Sequence, residues 1–449
     1  MKFLINKFSR KNLIAAFVIA ILFGFFAYFL SYQIDDAILW PETMDSWFEA
    51  DIFRVASNMS LRHSNHYRTR VHPLFSIVAF IPTRMIALLL QTSLDDAVRI
   101  VSSLIAAVWG GIFFLVFRGV GCQWIDSLLF ILLAGVSSAS IFWLSVPETY
   151  VWGSITILMA LGFTLLIQEY RFSWYWYTII SAITFSMTIT NWMVGLLVTL
   201  TSYPGIAEIR YTLKRVFSRA KIKLIISDLW GIWKKFFGIQ LSAIALVLFI
   251  ALIQRGIFPT AALNFFTKHQ EELDYIAVAP GGRSQALTAM IMHTIIMPEI
   301  QIVPKSIQND ILNWPFMLTQ VSNPGSASIW GSIAVGLWLG LLILGVWSFF
   351  RFRGHSRFRF VLGLTLLGQF ALHHIYGSET FLYSLHIAPL LLLIVSFVSL
   401  TSFRPFGLTL AGCLILVLSL NNLQQFQVAA DYFKGTSNNR LGKSYNEIG

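Results

Sequence analysis

Long apolar runs separated by short polar segments dominate the sequence. Ten runs of 15 to 30 residues stand out, at 13–30, 97–117, 127–144, 150–167, 174–203, 237–253, 329–350, 360–375, 383–400 and 406–420. A helix needs about 20 apolar residues to cross the hydrocarbon core of a bilayer. The longest run, 174–203, contains a polar break from Thr188 to Asn191 and predicts two short helices. The pattern therefore predicts an all-α polytopic membrane protein with about eleven transmembrane helices.

Two apolar segments, 13–30 and 74–90, can each be interpreted in more than one way. The first apolar run follows four basic residues within 1–12, and no small-x-small cleavage site comes after it, which favours an uncleaved first helix over a signal peptide. The apolar segment 74–90 is short for a span, is broken by Pro82 and carries Arg84. We interpret it as a re-entrant or interfacial helix on the outer face.

Composition supports the membrane interpretation. The chain has 449 residues, of which 56% are hydrophobic and 12% are charged. This small number of charges cannot cover the core of a soluble protein with polar surface, which excludes a soluble enzyme. The composition also excludes a disordered chain and a collagen-like fibre. The net charge of +11 is typical of basic cytoplasmic loops and does not indicate nucleic-acid binding. The two cysteines form neither a disulfide framework nor a metal-binding pattern.

The distribution of charge predicts the topology. The segments assigned to the cytoplasm are 1–12, 118–126, 168–173, 204–236, 351–359 and 401–405. They hold 19 of the 32 Lys and Arg residues but only four of the 21 acids. Counting 74–90 as a full span would move the basic segment 204–236 outside, unless the paired helices in 174–203 were merged into one span. The N-terminus is therefore predicted to be cytoplasmic, and the C-terminus and the long segments 31–96 and 254–328 to lie outside.

An acidic cluster follows the first helix. Its carboxylates are Glu42, Asp45, Glu49 and Asp51, interleaved with aromatic residues. If the segment is helical from Asp45 onward, Asp45 and Glu49 share one face and Trp47 and Phe48 dip into the interface. The cluster is then either an amphipathic helix with aromatic anchors or a site that holds a general base or a metal ligand.

A basic cluster comes next in the same outer segment. It consists of His63, His66, Arg68, Arg70 and His72. The spacing of His63 and His66 is weak support for a metal site. Cations that hold an anionic headgroup are the favoured interpretation, and a solvated basic patch is the alternative.

Two more polar clusters fall at outer ends of predicted spans. Glu148 lies in an otherwise apolar stretch, where it either ends a helix or faces the first outer segment as a second carboxylate. The segment 373–389 carries His373, His374, Tyr383 and His386. All four clusters are thus predicted on the outer face, whereas the cytoplasmic segments contain no phosphate loop or glycine-rich nucleotide motif.

The order of these motifs resembles the GT-C superfamily of integral-membrane glycosyltransferases, which includes protein O-mannosyltransferases and lipid A aminoarabinose transferases. The matching segments are the acidic motif at Asp45, His72-Pro-Leu74, Pro147-Glu148, Thr190-Asn191 and Tyr383–Pro389. The family has Asp where this chain has Glu148, and Lys where it has Asn191. The resemblance covers 1–205, which we treat as a GT-C module, followed by a basic cytoplasmic loop 206–236 and a variable part 237–449.

The resemblance implies a GT-C-like bundle with interfacial helices in the first outer segment. It implies inverting transfer of a sugar from a polyprenyl-phosphate donor to a hydroxyl of a lipid, glycan or protein acceptor. Asp45 is the first choice for the general base, and the other candidates are Glu148, Asp51 and Glu49. The candidates for binding the lipid phosphate or substrate are His72, Arg68, Arg70, His373, His374, Tyr383 and His386. Some relatives need a divalent metal, but none is predicted here, and the site is expected to be extracytoplasmic in an inner or plasma membrane.

Two other functions are also compatible with the sequence. A polymerase or ligase of lipid-linked glycans also has large outer segments, but it depends more on Arg and His clusters than on an acidic motif. A lipid or glycan transporter is expected to carry charges in the middle of its spans and to have repeated halves. Few mid-span charges and no obvious repeat are present.

The topology can be tested with single cysteines placed in a variant that lacks Cys122 and Cys413. We expect Asn65→Cys to react with a membrane-impermeant maleimide in intact cells. Ser218→Cys, in the basic segment, should react only after the membrane is permeabilised. The reverse labelling pattern would contradict the assigned orientation.

Overall fold

The structure is a computed structural model that describes residues 9–203, 222–265, 276, 279–303 and 316–447. Residues 1–8 of the basic N-terminal segment and 206–221 of the predicted cytoplasmic loop lie outside the described residues. So does part of the predicted outer segment 254–328. The statements below concern the described part of the chain.

Helices make up almost all of the regular structure. The first half forms α1 Arg10–Ser31, α2 Ile52–Ser60, α3 Phe75–Leu90, α4 Leu94–Val120, α5 Trp124–Gly135, α6 Ser138–Trp143, α7 Thr149–Leu166, α8 Trp174–Met187 and α9 Trp192–Ser202. The second half forms α10 Ile222–Ile257, α11 Gly282–Met292, α12 Ile329–Arg351, α13 Ser356–His373, α14 Ser384–Ser396 and α15 Arg404–Glu447. A short antiparallel hairpin joins β1 Gln301–Val303 to β2 Phe316–Leu318.

Seven helical segments are long and apolar enough to cross a membrane. They are Arg10–Ser31, Leu94–Val120, Thr149–Leu166, Trp230–Ile257, Ile329–Arg351, Thr380–Leu400 and Arg404–Gly435. The protein is thus an all-α membrane protein, as the sequence predicts, but the predicted total of eleven spans is not confirmed. The shorter apolar helices are Phe75–Leu90, Trp124–Gly135 and Ile189–Ser202.

Two of the predicted runs are broken in the structure. The run 174–203 separates into α8 and α9 around Thr188, which has extended backbone angles, so the predicted break is confirmed. The run 127–144, predicted as one span, also divides, because α5 ends at Gly135 and the Ser137 hydroxyl caps a new helix, α6. Serine at a helix start accepts a hydrogen bond from the first turn and so stabilises a new beginning.

The core of the bundle is built around the segment Thr380–Leu400, nearly all of which is buried. Glycines allow neighbouring helices to approach it and each other closely. A Cβ added at Gly345 of α12 would lie 2.6 Å from Cα of Val395 in α14. A Cβ added at Gly110 of α4 would lie 2.5 Å from Cγ of Phe23 in α1. Small residues at such crossings are typical of helix packing in membranes.

The two long segments predicted to lie outside, 31–96 and 254–328, contact one another in their described parts. Thr260 donates its hydroxyl hydrogen to the carbonyl of Ser64, and its Oγ1 accepts from the backbone N–H of His66. Further along, the N–H of Met317 in β2 donates to the carbonyl of Ser46. The second outer segment is therefore attached to both the acidic and the basic clusters of the first.

Close packing in α12 gives a stability prediction. We expect Gly345→Ala to cost roughly 1–3 kcal/mol of stability because the new methyl group would clash with the backbone of α14. The control is Gly336→Ala in the same helix, where a Cβ would meet no atom within 4 Å. Thermal unfolding in detergent should show a lower midpoint for the first variant only. Equal midpoints would contradict the packing of α12 on α14.

Candidate active site

The acidic cluster forms a strained turn, not a helix. Asp45, Phe48 and Glu49 have φ angles of 67°, 50° and 60°, and helix α2 begins only at Ile52. The prediction that Asp45 and Glu49 share a helical face is therefore wrong. A left-handed backbone at non-glycine residues is costly and persists only where the surroundings impose it.

Aromatic packing imposes this turn. The ring of Phe48 is fully buried and makes edge contacts with Phe142 at 5.5 Å and with Phe381 at 5.2 Å between centroids. Trp47 is also buried, against Phe142 and Phe426. The expectation that Trp47 and Phe48 anchor the turn in the interface is thus wrong, because both rings lie inside the protein. Because the rings of Trp47 and Phe48 are fixed inside the protein, the adjoining acids are held at the surface of the bundle.

Members of all four polar clusters meet around one cavity of about 430 Å³, measured to its open mouth. It is lined by Glu49, Asp51, Arg68, Glu148, Tyr150, Tyr376, Leu382 and Tyr383. A second cavity of about 300 Å³ adjoins it and shares Asp51, Arg68 and Glu148 with the first. The other residues of the second cavity are Arg54, Val55, Asn58, Thr69, His72, Phe75, Ser76 and Thr149.

Asp51 lies between two arginines. Its Oδ2 is 2.5 Å from Nη1 of Arg68, and its Oδ1 is 3.5 Å from Nη1 of Arg54. Arg54 is held in place by a hydrogen bond to the hydroxyl of Tyr67, over whose ring its guanidinium also lies. The site therefore has an ionic core in which each oxygen of one carboxylate faces a different cation.

Glu148 is the second carboxylate of the site and the N-cap of α7. Its Oε1 accepts hydrogen bonds from the backbone N–H and the hydroxyl of Thr149, at 2.6 and 2.8 Å. Its Oε2 is buried without a hydrogen-bond partner in the described structure. Burial, and then the negative charge of Asp51, raise the pKa of Glu148 to about 7. A carboxylate with this pKa can exchange a proton near neutral pH.

His72 lies behind Glu148. Its Nδ1 is 2.8 Å from the carbonyl of Met187, so that nitrogen carries the hydrogen, and its Nε2 is 3.3 Å from the hydroxyl of Thr149. Burial, and then the charge of Arg68, lower the pKa of His72 to about 3. The single hydrogen of that hydroxyl is donated to Glu148, so the neutral ring only packs beside Thr149. Through Met187 it joins the broken helix pair α8–α9 to the site, and it supplies no positive charge.

The three histidines of the segment 373–389 lie in different surroundings. His386 is buried beside Tyr150, with 5.3 Å between ring centroids, and its Nε2 is 3.5 Å from the side-chain amide of Asn191. His373 stacks on Tyr383 at 3.8 Å, and its Nε2 has no partner in the described part of the chain. His374 is bonded to the carbonyl of Phe370. None of these three rings lines the two cavities.

Two predicted residues lie close by in sequence but outside the cavity walls. Asp45 is half-buried, and its backbone closes the turn through hydrogen bonds with Glu49 and Ala50. Arg70 lies in the same short 3₁₀ helix as Arg68, and its Nε and Nη1 are buried with no hydrogen-bond partner among the described residues. A guanidinium in this state is unusual, because buried polar groups are normally paired.

The segment 373–389 holds Glu49 in position and is itself bonded to the segment 254–328. The Ser378 hydroxyl donates to Oε2 of Glu49. The neighbouring Glu379 is buried, and its carboxylate accepts from the backbone N–H groups of Thr319 and Gln320, at 2.7 and 3.0 Å. This link was not predicted from sequence.

Tyrosines and Thr149 were also missed. Tyr150 and Tyr376 line the cavity, and Thr149 joins Glu148 to His72. All three stand next to acids or histidines in the segments already singled out, so adjacency was the available signal. Across the described residues, no group of three or more His, Cys, Asp or Glu side chains is arranged to hold a metal ion.

Two larger grooves are almost entirely apolar. One, of about 1060 Å³, lies between α1 and α4, where Phe17, Ile21 and Ile100 contribute to its walls. The other, of about 870 Å³, involves α4, α7 and α8. Neither is lined by an Asp, Glu, His, Lys or Arg side chain, in contrast to the two cavities around Asp51.

The raised pKa of Glu148 gives a pH prediction. The folded protein holds this proton more tightly than the unfolded chain, so ionisation costs stability as pH rises from about 4.5 to about 7. Glu148→Gln stays neutral. We expect the free energy of unfolding of this variant, relative to that of the wild type, to rise across this window by up to about 3 kcal/mol. The difference in melting temperature between the two proteins should rise with it. A difference that stays constant with pH would contradict the burial of this carboxylate.

The chain was also compared with protein-family models, with curated proteins and with solved structures, and none of these comparisons found a match. The resemblance to the GT-C superfamily therefore stays a prediction that depends on the order of the motifs.

Proposed function

We propose that the protein is a membrane glycosyltransferase that moves a sugar from a polyprenyl-phosphate donor to an acceptor hydroxyl. The reaction takes place in the cavity around Asp51, on the face predicted to be extracytoplasmic. The observation that supports this most is the composition of that cavity. Three carboxylates, an arginine and a wall of tyrosines lie together at the ends of apolar helices.

Asp51 acts as the general base. It lines both cavities, whereas Asp45, the first choice from sequence, lines neither. The acceptor hydroxyl gives its proton to Asp51 while its oxygen attacks the anomeric carbon, with inversion. Glu148 faces the same space as a second carboxylate that is close to half-protonated at neutral pH.

Arg68 receives the lipid phosphate. A phosphate monoester leaving group has a second pKa near ~6 and leaves without strong acid help. It gains about one negative charge as the bond to the sugar breaks, and a fixed cation stabilises that change. Arg70, whose buried Nε and Nη1 lack partners, is a second cation suited to an anion.

The tyrosines hold the sugar. Tyr150 and Tyr383 meet edge to face with 5.2 Å between ring centroids, and Tyr376 completes the wall. Tyrosine offers an apolar ring face and a hydroxyl in one side chain. This combination suits a sugar ring, which has apolar C–H faces and polar edges.

The test uses purified protein in nanodiscs, a panel of polyprenyl-phosphate monosaccharides, and acceptors from membranes of cells that lack the protein. We expect Asp51→Asn to slow sugar transfer by at least about a hundredfold, the usual contribution of a general base. Glu42→Gln, which removes an exposed acid from the same segment, is the matched control and should keep full activity.

The activities of the variants distinguish Asp51 from Asp45 as the general base. Undiminished transfer by Asp51→Asn, with loss in Asp45→Asn, would move the base to Asp45. A wild-type protein that releases no polyprenyl phosphate from any donor would contradict the proposed function. Monodisperse elution and an unchanged melting temperature serve to show that each variant is folded.

A further inference from the structure

Arg68 is placed on the boundary between the two cavities. The residues that both cavities share are Asp51, Arg68 and Glu148, so the ion pair of Arg68 with Asp51 forms part of the wall between them. With this pair closed, the space beside the tyrosines and the space beside Asn58 and Phe75 are separate.

This pair creates a difficulty for the proposed base. Oδ2 of Asp51 is 2.5 Å from Nη1 of Arg68, which leaves little room for an acceptor hydroxyl to approach that oxygen. The other oxygen, Oδ1, already faces Arg54 at 3.5 Å. Both oxygens of the base thus face cations in the structure.

The two arginines are not equivalent. Arg54 is fixed by the hydroxyl and ring of Tyr67 and by the sulfur of Met44, at 3.5 Å from Nη2. Arg68 lies in the short 3₁₀ helix Tyr67–Arg70, and it lines both cavities. If Arg68 moved away, Asp51 would keep one cation on Oδ1 and expose Oδ2.

We propose that Arg68 exchanges partners, leaving Oδ2 of Asp51 for a phosphate group in the cavity, so that the base is exposed only when the donor is bound. The reaction step in this account depends on the proposed function, whereas the exchange itself is a binding property. Phosphate oxygens match the planar donors of a guanidinium at least as well as a carboxylate does.

The charges of the reaction favour this exchange. The donor is a phosphodiester with one negative charge. As the acceptor oxygen bonds to the anomeric carbon, the bond from that carbon to the phosphate oxygen breaks and its electron pair stays on the phosphate. The proton of the acceptor goes to Oδ2 of Asp51. The released monoester carries close to two charges, so its hold on Arg68 strengthens as the reaction proceeds.

Binding experiments on the detergent-solubilised full-length protein test the exchange. The probe is dodecyl phosphate, titrated by isothermal calorimetry. If Asp51 competes with phosphate for Arg68, Asp51→Asn should bind the probe about tenfold more tightly than the wild type, a change of about 1.4 kcal/mol. Arg68→Gln should lose most of the binding.

The matched control is Glu49→Gln. Glu49 lines the same cavity and is bonded to Ser378, so this variant removes one negative charge without removing the partner of Arg68 in the ion pair. It should tighten binding only about twofold, through the weaker general charge effect. Asp51→Asn must exceed it. Equal or weaker binding by Asp51→Asn would mean that Asp51 orients Arg68 instead of competing for it, and would overturn the exchange.

Two further experiments test whether the ligand is a lipid phosphate and whether Arg68 leaves Asp51. Inorganic phosphate that binds as tightly as dodecyl phosphate, with the same variant pattern, would assign the site to free phosphate and overturn the lipid donor as the trigger. If Asp51→Asn does not fold, a cryo-electron microscopy structure of the wild type with dodecyl phosphate decides. Arg68 should then contact phosphate, and an intact pair with Asp51 would overturn the exchange. Exchange without sugar transfer would contradict the proposed function alone.

Discussion

The packing of Phe48 and Trp47 is the interaction on which the site depends. Three non-glycine residues of the turn 45–49 have left-handed backbone angles, and each such residue costs about 1–2 kcal/mol. A buried aromatic cluster that spans α6, α15 and the Thr380–Leu400 segment offsets this cost. This turn directs Glu49 and Asp51 toward the cavity. The two acids are therefore positioned by the apolar contacts of the Trp47 and Phe48 rings.

Electrostatics then distinguishes the acids. Asp51 lies between two arginines, whereas Glu148 is buried with one oxygen unpartnered and its pKa is raised to about 7. Two carboxylates in one cavity thus differ in their surroundings, which is how a site assigns different tasks to similar groups. Thr149 and the neutral ring of His72 connect this pair to the break between α8 and α9.

The sequence predicted the helical membrane architecture, the break at Thr188 and the four clusters that meet at the cavity, because apolar runs and scarce charges are strong signals. It did not predict the left-handed turn in which the acids lie. Asp45 and Asp51 look equivalent in sequence, and only the left-handed turn, which depends on distant rings such as Phe381, separates them. The link from Ser378 to Glu49 joins residues more than three hundred positions apart and leaves no local signal.

The central claim is that the polar cavity around Asp51, and not an apolar groove, receives the phosphate end of the donor. A polyprenyl phosphate with a photoreactive group beside its phosphate tests this most directly, with adducts located by mass spectrometry. The account predicts adducts near Arg68, at Tyr150 and in the segment 376–383. Adducts confined to the groove between α1 and α4, at residues such as Phe17 and Ile100, would contradict it.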